Sequence, residues 1–452
     1  MIDTLTLKKR IYNLAISGQL TCHLVDDTPV DSTLLFYQEE GVDSLPDIPD
    51  TWKYCYFDDV LIKRDSERIP VSVADRKKLS KKYDYYGASG VIDKVDNFLF
   101  DENLLLIGED GANLLSRSTP IAFIAKGKYW VNNHAHVLQA TEHVLLEFVE
   151  IYINAISLVP YVTGSAQPKL SQRMMSKIPV PVPPIEEQQR IVETVRSVSE
   201  HLGLIDTLQG QYQDNLATLK SKIIDAGIQG KLTEQLPEDG NAEELYQQIQ
   251  REKLALEKAG KIKKSKPLPP ISDEEKPFDI PDNWKWVRLA DVYEINPKVN
   301  ADDNINAAFI PMERISAGFD RSFSYVVQKW SEASKNHTRF CDGDVAFAKI
   351  SPCFENRKSF VVENLPNSLG GGTTELIILR QKLIDPLFTY YLILDERFIR
   401  LGLSTYKGTV GQQRIKNDVM FAYVFPLPPL AEQKRIVAKL EELLPLCEKG
   451  QS

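Results

Sequence analysis

Residues 183–192 read PPIEEQQRIV, and residues 428–437 read PPLAEQKRIV. In both stretches two prolines open the run, and proline suits the first turn of a helix because its missing N–H is not needed there. Carboxylates follow at Glu186, Glu187 and Glu432, where the positive end of the helix dipole favours negative charge. Each stretch therefore predicts the start of a helix, and the same start occurs twice in one chain.

Two further repeats indicate that the chain is organised in a circle. The pattern LKKRI…GQLT of residues 7–21 returns as LKSKI…GKLT of residues 219–233, and IPDTWK of residues 48–53 returns as IPDNWK of residues 280–285. The N-terminal segment thus resembles the late part of the central region, whereas residues 428–437 resemble its early part. Head and tail together make a second copy of the middle. This order predicts that the termini lie close together and that the molecule has an approximate two-fold axis.

A heptad seam of apolar residues follows the first helix start and predicts one helix over residues 185–228, about 65 Å long at 1.5 Å per residue. A second helix is predicted over residues 241–260, and the basic, proline-containing stretch 261–270 reads as an exposed linker. The circular repeat favours pairing of the seam within the chain, against a coiled coil with another protein or a plain core helix. The seam comprises Ile191, Val195, Val198, Leu202, Ile205, Tyr212, Leu216, Leu219, Ile223 and Ala226, and it continues at Ile436, Leu440, Leu443 and Cys447.

Composition limits the class of protein. The chain has 452 residues, of which 43% are hydrophobic and 26% charged, with a formal net charge of −9. These values are typical of a globular protein with more than one domain, and they argue against a protein that coats DNA through charge alone. Neither an export signal nor a membrane-spanning run is recognisable, so we expect a cytoplasmic protein. The five cysteines are scattered, which predicts reduced thiols.

Two globular domains are expected between the repeated segments, at residues 46–182 and 278–427. Short apolar runs alternate there with Gly, Asn and Asp, which predicts α/β or α+β domains with several strands. Between their shared entry and exit, the two sequences differ almost completely. The remaining parts are an N-terminal helical segment, 1–45, a central region, 183–277, and a C-terminal helix, 428–452.

The chain resembles the specificity subunits of Type I restriction-modification systems over its whole length. The central segments GIQGKL (227–232), KIKK leading into PLPP (261–270) and IPDNW (280–284), and PPLAEQKRIV (428–437), are similar to that family's shared regions. YGASGVID (86–93), GEDGAN (108–113) and NNHAH (132–136) resemble one class of target-recognition domain. GDVAFAKI (343–350) and GGGTTE (370–375), with Pro352, Glu355 and Asn356, resemble another.

The resemblance implies a non-catalytic subunit in which each domain reads one half of a split DNA target through the major groove. The helices would act as a ruler between half-sites about one helical turn, roughly 34 Å, apart. They would also dock two methyltransferase subunits, which recruit motor-nuclease subunits. S-adenosylmethionine, ATP and Mg²⁺ are then expected on the partners, and no cofactor on this chain.

Candidate DNA contacts follow from the chemistry of base and phosphate recognition, in which Arg and Lys bind guanine or phosphate and Asn and Gln bind adenine. The segment GSAQ (164–167), followed by Lys169, Gln172 and Arg173, parallels GTVG (408–411), followed by Gln412, Gln413 and Arg414. A DNA-facing loop and a plain structural turn explain this recurrence equally well.

The candidates for DNA contact are Arg76, Lys77, Lys78, Lys81, Lys82, Tyr85, Tyr86, Ser89, Lys169, Gln172 and Arg173 in the first domain, and Lys349, Arg357, Lys358, Thr373, Thr374, Lys407, Gln412, Gln413 and Arg414 in the second. The candidates for partner binding are Ile191, Val195, Leu202, Leu216, Ile223, Ile436 and Leu440.

Motifs for catalysis are missing from the sequence. It contains no phosphate-binding GxxxxGK[ST], no Asn-Pro-Pro-aromatic methyltransferase motif and no HExxH. His134 and His136 would share a face of a strand, but no neighbouring cysteine completes a metal site, and we expect none. Two alternatives remain: a coiled-coil scaffold that never binds DNA, and a stand-alone DNA-modifying enzyme with an unrecognised site.

Overall fold

The computed structural model describes residues 1–37, 45–164, 167–262, 268–409 and 411–447. The chain divides into two compact units, Met1–Gly210 and Gln211–Ser452. Each unit contains one of the predicted α/β domains.

Helices and strands of unit 1 follow the predicted order of a helical segment, a mixed domain and a long helix. The helices are α1 (Thr4–Ile16), α2 (Phe57–Val60), α3 (Val73–Arg76), α4 (Asn113–Ser116), α5 (Leu146–Ala155), α6 (Gln172–Met175) and α7 (Ile185–Ile228), the last of which continues into unit 2. The strands are β1 (Lys53–Cys55), β2 (Leu61–Lys63), β3 (Tyr83–Gly87), β4 (Gly90–Val95), β5 (Phe100–Asp101), β6 (Leu104–Gly108), β7 (Ala122–Ala125), β8 (Lys128–Val131), β9 (Ala135–Ala140) and β10 (Val180–Val182).

Unit 2 continues with a second helix, a second mixed domain and a C-terminal helix. The helices are α8 (Ala242–Lys258), α9 (Leu289–Val292), α10 (Trp330–Ala333), α11 (Pro386–Leu394), α12 (Glu396–Ser404), α13 (Asn417–Phe421) and α14 (Leu430–Leu443). The strands are β11 (Lys285–Arg288), β12 (Glu294–Ile295), β13 (Asn306–Ile310), β14 (Val326–Lys329), β15 (Thr338–Cys341), β16 (Val345–Ala348), β17 (Ser359–Val361), β18 (Leu369–Gly372), β19 (Leu376–Arg380) and β20 (Val424–Leu427).

The two long helices of the central region form where the sequence predicts them. α7 spans the predicted residues 185–228, and α8 lies within the predicted 241–260. Asn241 caps α8, because its side chain accepts a hydrogen bond from the Glu243 N–H over 2.7 Å. The basic linker after α8 lies partly outside the described residues, at 263–267. The last residues, 448–452, also lie outside them, so the closeness of the termini stays a prediction.

The two domains have the same sheet topology although their sequences differ. In the first domain one sheet has the order β2-β9-β6-β7 and the other the order β4-β3-β8-β5; in the second domain the orders are β12-β19-β16-β17 and β14-β13-β18-β15. The parallel pairs also correspond, since β3 runs parallel to β8 and β13 parallel to β18. A further antiparallel pair joins the entry and exit of each domain, β1 with β10 and β11 with β20.

Side chains of the central strands alternate between two cores, as the two-residue period of a strand requires. In β6, Leu104 and Leu106 face the core that contains Tyr129 and Val131 of the other sheet. Leu105 and Ile107 face the core that contains α5 and the start of α7. Strand β16 of the second domain alternates in the same way. These strands were predicted from short apolar runs, and the prediction is confirmed.

Four of the seven residues predicted to bind partners lie inside this chain's own cores. Ile191 and Val195 pack in the core of unit 1, and Ile436 and Leu440 pack in the core of unit 2. For these four the prediction is wrong, because a heptad pattern shows which helix face is apolar but does not show what covers it. Leu202 is also buried, while Leu216 and Ile223 are half-buried.

All five cysteines are free thiols. Among the described residues, none of the helices combines the length and the apolar character that crossing a membrane would need.

Candidate nucleic-acid interface

A buried glutamate at the start of α7 connects the domain of unit 1 to its helices. Glu187 is fully buried; it accepts a hydrogen bond from the Trp52 indole N–H over 3.0 Å and lies 2.9 Å from the His23 ring nitrogen. Thr21 donates to the same carboxylate over 3.4 Å. Since a buried charge is costly without partners, these donors fix the N-terminal segment, the domain entry and α7 in one arrangement.

Unit 2 contains the same arrangement, built from other parts of the chain. Glu432 at the start of α14 is fully buried and accepts from the Trp284 indole N–H over 2.8 Å and from the Gln235 amide over 2.9 Å. Thr233 donates to it over 3.1 Å. The repeats in the sequence are therefore the residues of one contact set, which we call the frame, made twice with a different chain order.

An ion pair and a glutamine complete the frame in both units. Arg190 binds Asp27 in unit 1, with Nη2 2.6 Å from Oδ2, and Arg435 binds Asp239 in unit 2 over the same distance. Gln188 accepts from the Leu145 N–H over 2.8 Å at the start of α5, and Gln433 accepts from the Asp385 N–H over 2.9 Å at the start of α11. α5 and α11 therefore occupy equivalent places.

The recurring segment near each domain exit is a loop closed by its own backbone. Thr163 pairs with Lys169 in the first domain, and Lys407 pairs with Arg414 in the second. Each loop contains a glycine with positive φ, Gly164 at 86° and Gly408 at 121°, a conformation that favours glycine. Ser165, Ala166 and Val410 lie outside the described residues. We call these stretches, 163–169 and 407–414, the exit loops.

The equivalent residues of the two exit loops differ from those that the sequence predicted. Lys169, and not Gln172 or Arg173, takes the place of Arg414, because each closes its loop. Beyond the loop, Gln172 begins α6 and Asn417 begins α13. The predicted pairing of Gln172 and Arg173 with Gln413 and Arg414 is wrong, because Gln172 and Arg173 lie beyond their loop whereas Gln413 and Arg414 lie within theirs.

Backbone hydrogen bonds beside the exit loops show which side chains occupy equivalent positions. The N–H of Glu109 donates to the carbonyl of His134 over 2.9 Å. In the second domain the N–H of Lys349 donates to the carbonyl of Glu375 over 2.8 Å. The carbonyls of Glu109 and Lys349 then accept from the N–H groups of Leu170 and Ile415, over 2.8 and 3.0 Å. One domain thus presents a carboxylate where the other presents an ammonium group.

In the first domain, charged side chains cluster beneath the exit loop. Lys169 lies 3.0 Å from the Glu109 carboxylate, and Arg68 lies 2.7 Å from its other oxygen. Burial alone would raise the pKa of Glu109, but hydrogen bonds from Arg68 and Lys169 hold it below its ordinary value. Gln172 donates to Asp65 over 2.6 Å. Arg173 is exposed at the start of α6.

Three side chains of this cluster, Asp65, Glu109 and His136, have ligand atoms close enough together for one metal ion. Their donor atoms are already engaged, however. Arg68 binds both carboxylates, at 3.3 and 2.7 Å, and each ring nitrogen of His136 faces an oxygen within hydrogen-bond distance. A cation would have to displace Arg68, so the cluster is better described as an ion-pair network.

In the second domain a single ion pair lies at the equivalent place. Arg414 binds Glu375 through two nitrogens, at 3.0 and 2.6 Å, and this bond lowers the pKa of the Glu375 carboxyl and raises that of the Arg414 guanidinium. Thr373 accepts from the Glu375 N–H over 3.2 Å. Thr374, Lys407 and Gln412 are exposed, while Lys349 and Gln413 are half-buried.

The basic run of the first domain lies at the other end of β3 from the exit loop. Arg76 and Lys81 bind Asp93 of β4, over 2.9 and 2.8 Å, and they hold its pKa well below the ordinary value, Lys81 contributing most. The hairpin tip, with exposed Ser89 and half-buried Tyr86, lies beside the exit loop instead, since a Cβ at Gly108 would come within 2.6 Å of the Ala88 carbonyl.

The cations of the basic run differ in how far they are engaged. Lys78 lies 3.5 Å from Asp75, and the Lys82 ammonium lies 5.0 Å from the centre of the Tyr83 ring. Lys77 is exposed. The predicted first-domain contacts therefore form two groups, one at each end of β3.

Two candidates are engaged in contacts within the protein. Tyr85 is 1% exposed, and its hydroxyl accepts from the Val71 N–H over 2.9 Å. Arg357 pairs with Glu396 of α12 and lies over the Phe319 ring at 5.1 Å. Both side chains hold loops in place, and we leave both out of the interface. Lys358 is half-buried and donates to the Met312 carbonyl over 2.8 Å.

Asp65, Arg68 and Glu109 are the site residues that sequence reasoning missed. Asp65 and Arg68 follow β2, and Glu109 follows β6; they meet because β9 lies between these two strands. Glu109 stands in the GEDGAN segment, whereas no repeat or motif marks Asp65 and Arg68. The fold thus gives a protein with one frame, two domains of the same topology and two chemically different surfaces at equivalent places.

The family of Type I restriction modification DNA specificity domains matches this chain at residues 49–210 and 281–450, and the chain belongs to that family. The specificity subunit of the Type I restriction enzyme EcoDI from Escherichia coli is 32% identical over 88% of this chain and 82% of its own length. The specificity subunit of EcoAI, also from Escherichia coli, is 43% identical over 51% of this chain. That match spans only 40% of the relative's length.

A solved chain from work on complex assembly and conformational transition of the type I R-M system has the same fold. It has a TM-score of 0.53 and 16% identity, over 89% of this chain and 92% of that chain.

Proposed function

We propose that the chain is the DNA sequence-specificity subunit of a Type I restriction-modification complex. The domains at 46–182 and 278–427 would each read one half of a bipartite target, and α7 would set the distance between the halves. One observation carries this proposal: the same backbone frame and topology occur twice, with Glu109 at the position that Lys349 occupies in the second domain. To read two different half-sites, the two domains need the same backbone geometry and different side chains at the DNA-facing surface.

The surface around each exit loop is the part that would contact bases. It joins exposed amide, hydroxyl and cationic groups, which are the groups that recognise base edges and phosphates. The members in the first domain are Tyr86, Ser89, Lys169, Gln172 and Arg173. Those in the second are Lys349, Thr373, Thr374, Lys407, Gln412, Gln413 and Arg414. Lys77, Lys78, Lys81 and Lys82 would hold phosphates at the other end of β3, and Lys358 lies close to the second surface.

Partner subunits would supply the chemistry. Two methyltransferase subunits with S-adenosylmethionine, and motor-nuclease subunits with ATP and Mg²⁺, would assemble on this non-catalytic chain in the cytoplasm. Since Ile191, Val195, Ile436 and Leu440 are buried, docking would use exposed apolar side chains of α7 instead. Leu204 and Leu208 in unit 1 are 55% and 53% exposed, and Tyr212 and Leu219 in unit 2 are 43% and 47% exposed.

Methylome sequencing of cells that express the chain with its methyltransferase partner tests the proposal. The expected result is methylation at one bipartite motif. Deleting seven residues of α7 between 211 and 219 should change the gap and leave both half-sites intact, because the deletion removes one heptad but no domain residue. Absence of a bipartite motif, or a gap that ignores the deletion, would contradict the proposal.

A further inference from the structure

A buried histidine connects the core of the first domain to its exit loop. His136 is fully buried on β9. One ring nitrogen, Nδ1, lies 2.6 Å from Asp65 Oδ2, and the other, Nε2, lies 2.7 Å from the carbonyl oxygen of Leu170. Leu170 directly follows Lys169, the residue that closes the exit loop.

Asp65 has further contacts that extend this connection. Its Oδ1 accepts from the Val137 N–H over 2.7 Å, and its Oδ2 accepts from the Gln172 amide over 2.6 Å. Burial alone would raise the pKa of Asp65, yet hydrogen bonds from His136 and the Val137 N–H, with the charge of Arg68, hold it below its ordinary value. The Leu170 carbonyl can only accept, so Nε2 of His136 donates to it, and Nδ1 faces Asp65.

The second domain has an apolar side chain at the position of His136. In the strand register, His136 lies opposite Ile107 of β6, and Ile377 lies opposite Phe347 of β16. Ile377 is fully buried in an apolar core. The side chain of Asn296 accepts from the Ile378 N–H over 2.9 Å. This hydrogen bond is equivalent to the one that Asp65 accepts from the Val137 N–H. The first exit loop is thus tied to β9 by a buried polar pair, whereas the equivalent strand position of the second domain is apolar and Arg414 holds its loop through Glu375.

We propose that His136 and Asp65 are positioning residues for half-site recognition by the first domain, acting on Lys169 through Leu170 and on Gln172 directly. Directional hydrogen bonds hold polar side chains at defined angles, and base discrimination depends on those angles. The proposal rests on the function proposed above. It adds that the selectivity of one half-site, and not of the other, depends on a buried pair that contacts no DNA.

The test uses the complex with its methyltransferase partner and measures binding to duplexes with single base changes in either half-site. His136→Gln and Asp65→Asn should reduce discrimination in the first half by about tenfold, the effect of misplacing one base-reading side chain. Discrimination in the second half should not change. A role in folding alone would weaken binding to matched and mismatched duplexes by the same factor.

Two further variants keep the test independent of folding defects. The double change Asp65→Asn with His136→Ile gives these two positions the side-chain types of the second domain while Arg68 stays paired with Glu109, and it should fold while still losing first-half discrimination. Asn296→Ala removes an equivalent strand acceptor from the second domain, and it should lower stability without shifting base preference in either half.

The outcomes separate this inference from the proposed function. If the unmodified complex has no bipartite target, the proposed function fails. If it has one, and both His136→Gln and the double variant discriminate bases in the first half as before, only the positioning role is overturned.

Discussion

Trp52 donates to Glu187 in unit 1, and Trp284 donates to Glu432 in unit 2, over 3.0 and 2.8 Å. Beside the exit loops, by contrast, the equivalent positions hold Glu109 and Lys349. The comparison of frame and surface teaches that this chain keeps the residues that fix geometry and varies those that meet a ligand. The tryptophan and glutamate shared by the two frames are buried, whereas Glu109 and Lys349 directly follow β6 and β16. Variation there leaves the core unaffected.

The largest expected effect comes from removing the frame carboxylates. Glu187→Ala leaves the Trp52 N–H buried without an acceptor and should reduce the stability of unit 1 by about 4 kcal/mol. Glu432→Ala should do the same to unit 2. Hydrogen–deuterium exchange read separately in each unit measures both. Glu187→Gln is the control, because it keeps an oxygen that can accept from Trp52. If the losses of stability caused by the two alanine variants differ by more than about 2 kcal/mol, the two frames are not equivalent.

A smaller loss of stability is expected from alanine at Gly18 and Gly230, the glycines of the two repeated segments. Gly18 has φ of +67°, and a Cβ there would lie 2.4 Å from Pro49 Cγ; Gly230 has φ of +71°, with 2.9 Å to Pro281 Cγ. Alanine should therefore cost about 3 kcal/mol at Gly18 and about 2 kcal/mol at Gly230, from backbone strain and overpacking together. Unfolding in urea tests this order, with Gly203→Ala in open helix as the control. A greater loss at Gly230 would contradict the contact geometry.

Helix α5 of unit 1 should give the stability of the protein a pH dependence that α11 of unit 2 does not. Burial and the charge of Glu147 raise the pKa of Glu150 on α5 from 4.5 to about 7. The unfolded chain loses this proton near pH 4.5 and the folded chain near pH 7, so stability falls between those values and stays reduced above them. Glu150→Gln should stabilise the protein by about 2 kcal/mol at pH 8 and hardly at all at pH 4.5.

Thermal unfolding of Glu150→Gln at both pH values checks this prediction. The control is Glu142→Gln, because the Glu142 side chain is 88% exposed. The equivalent position on α11 is Tyr390, which is buried, so α11 has no carboxyl group at the place of Glu150. A stabilisation equal at both pH values would show that the effect is not due to ionisation.

The smallest change in stability is expected from a substitution at the one frame position where the two units have different donors to the buried glutamate. His23 binds Glu187 in unit 1, and Gln235 binds Glu432 in unit 2. His23→Gln should change stability by no more than about 0.5 kcal/mol at neutral pH, because an amide donor replaces a ring nitrogen at a half-exposed position. Urea unfolding measures this, and a loss above about 2 kcal/mol would mean that the frames are not interchangeable.

The sequence was enough to find the repeated segments that supply the frame, because they recur in order around fixed prolines and a tryptophan, but it did not predict the contacts among them. It also predicted α7 and α8, whose apolar periodicity is long. The common topology of the domains was not visible, since strand pairing depends on tertiary contacts between unlike sequences. His136 and Asp65 lie far apart in sequence, and nothing local connects them. The burial of Ile191 and Ile436 escaped prediction because periodicity does not identify the covering surface.

The central claim is that one frame holds two interchangeable domains with different specificities. Replacing residues 53–182 by residues 285–427 keeps both frames, since β1 with β10 and β11 with β20 close their domains at these residues. Methylome sequencing of cells that carry this chain with its partner should give a target containing the second domain's half-site twice. A target that still contains the original first half-site would contradict the account.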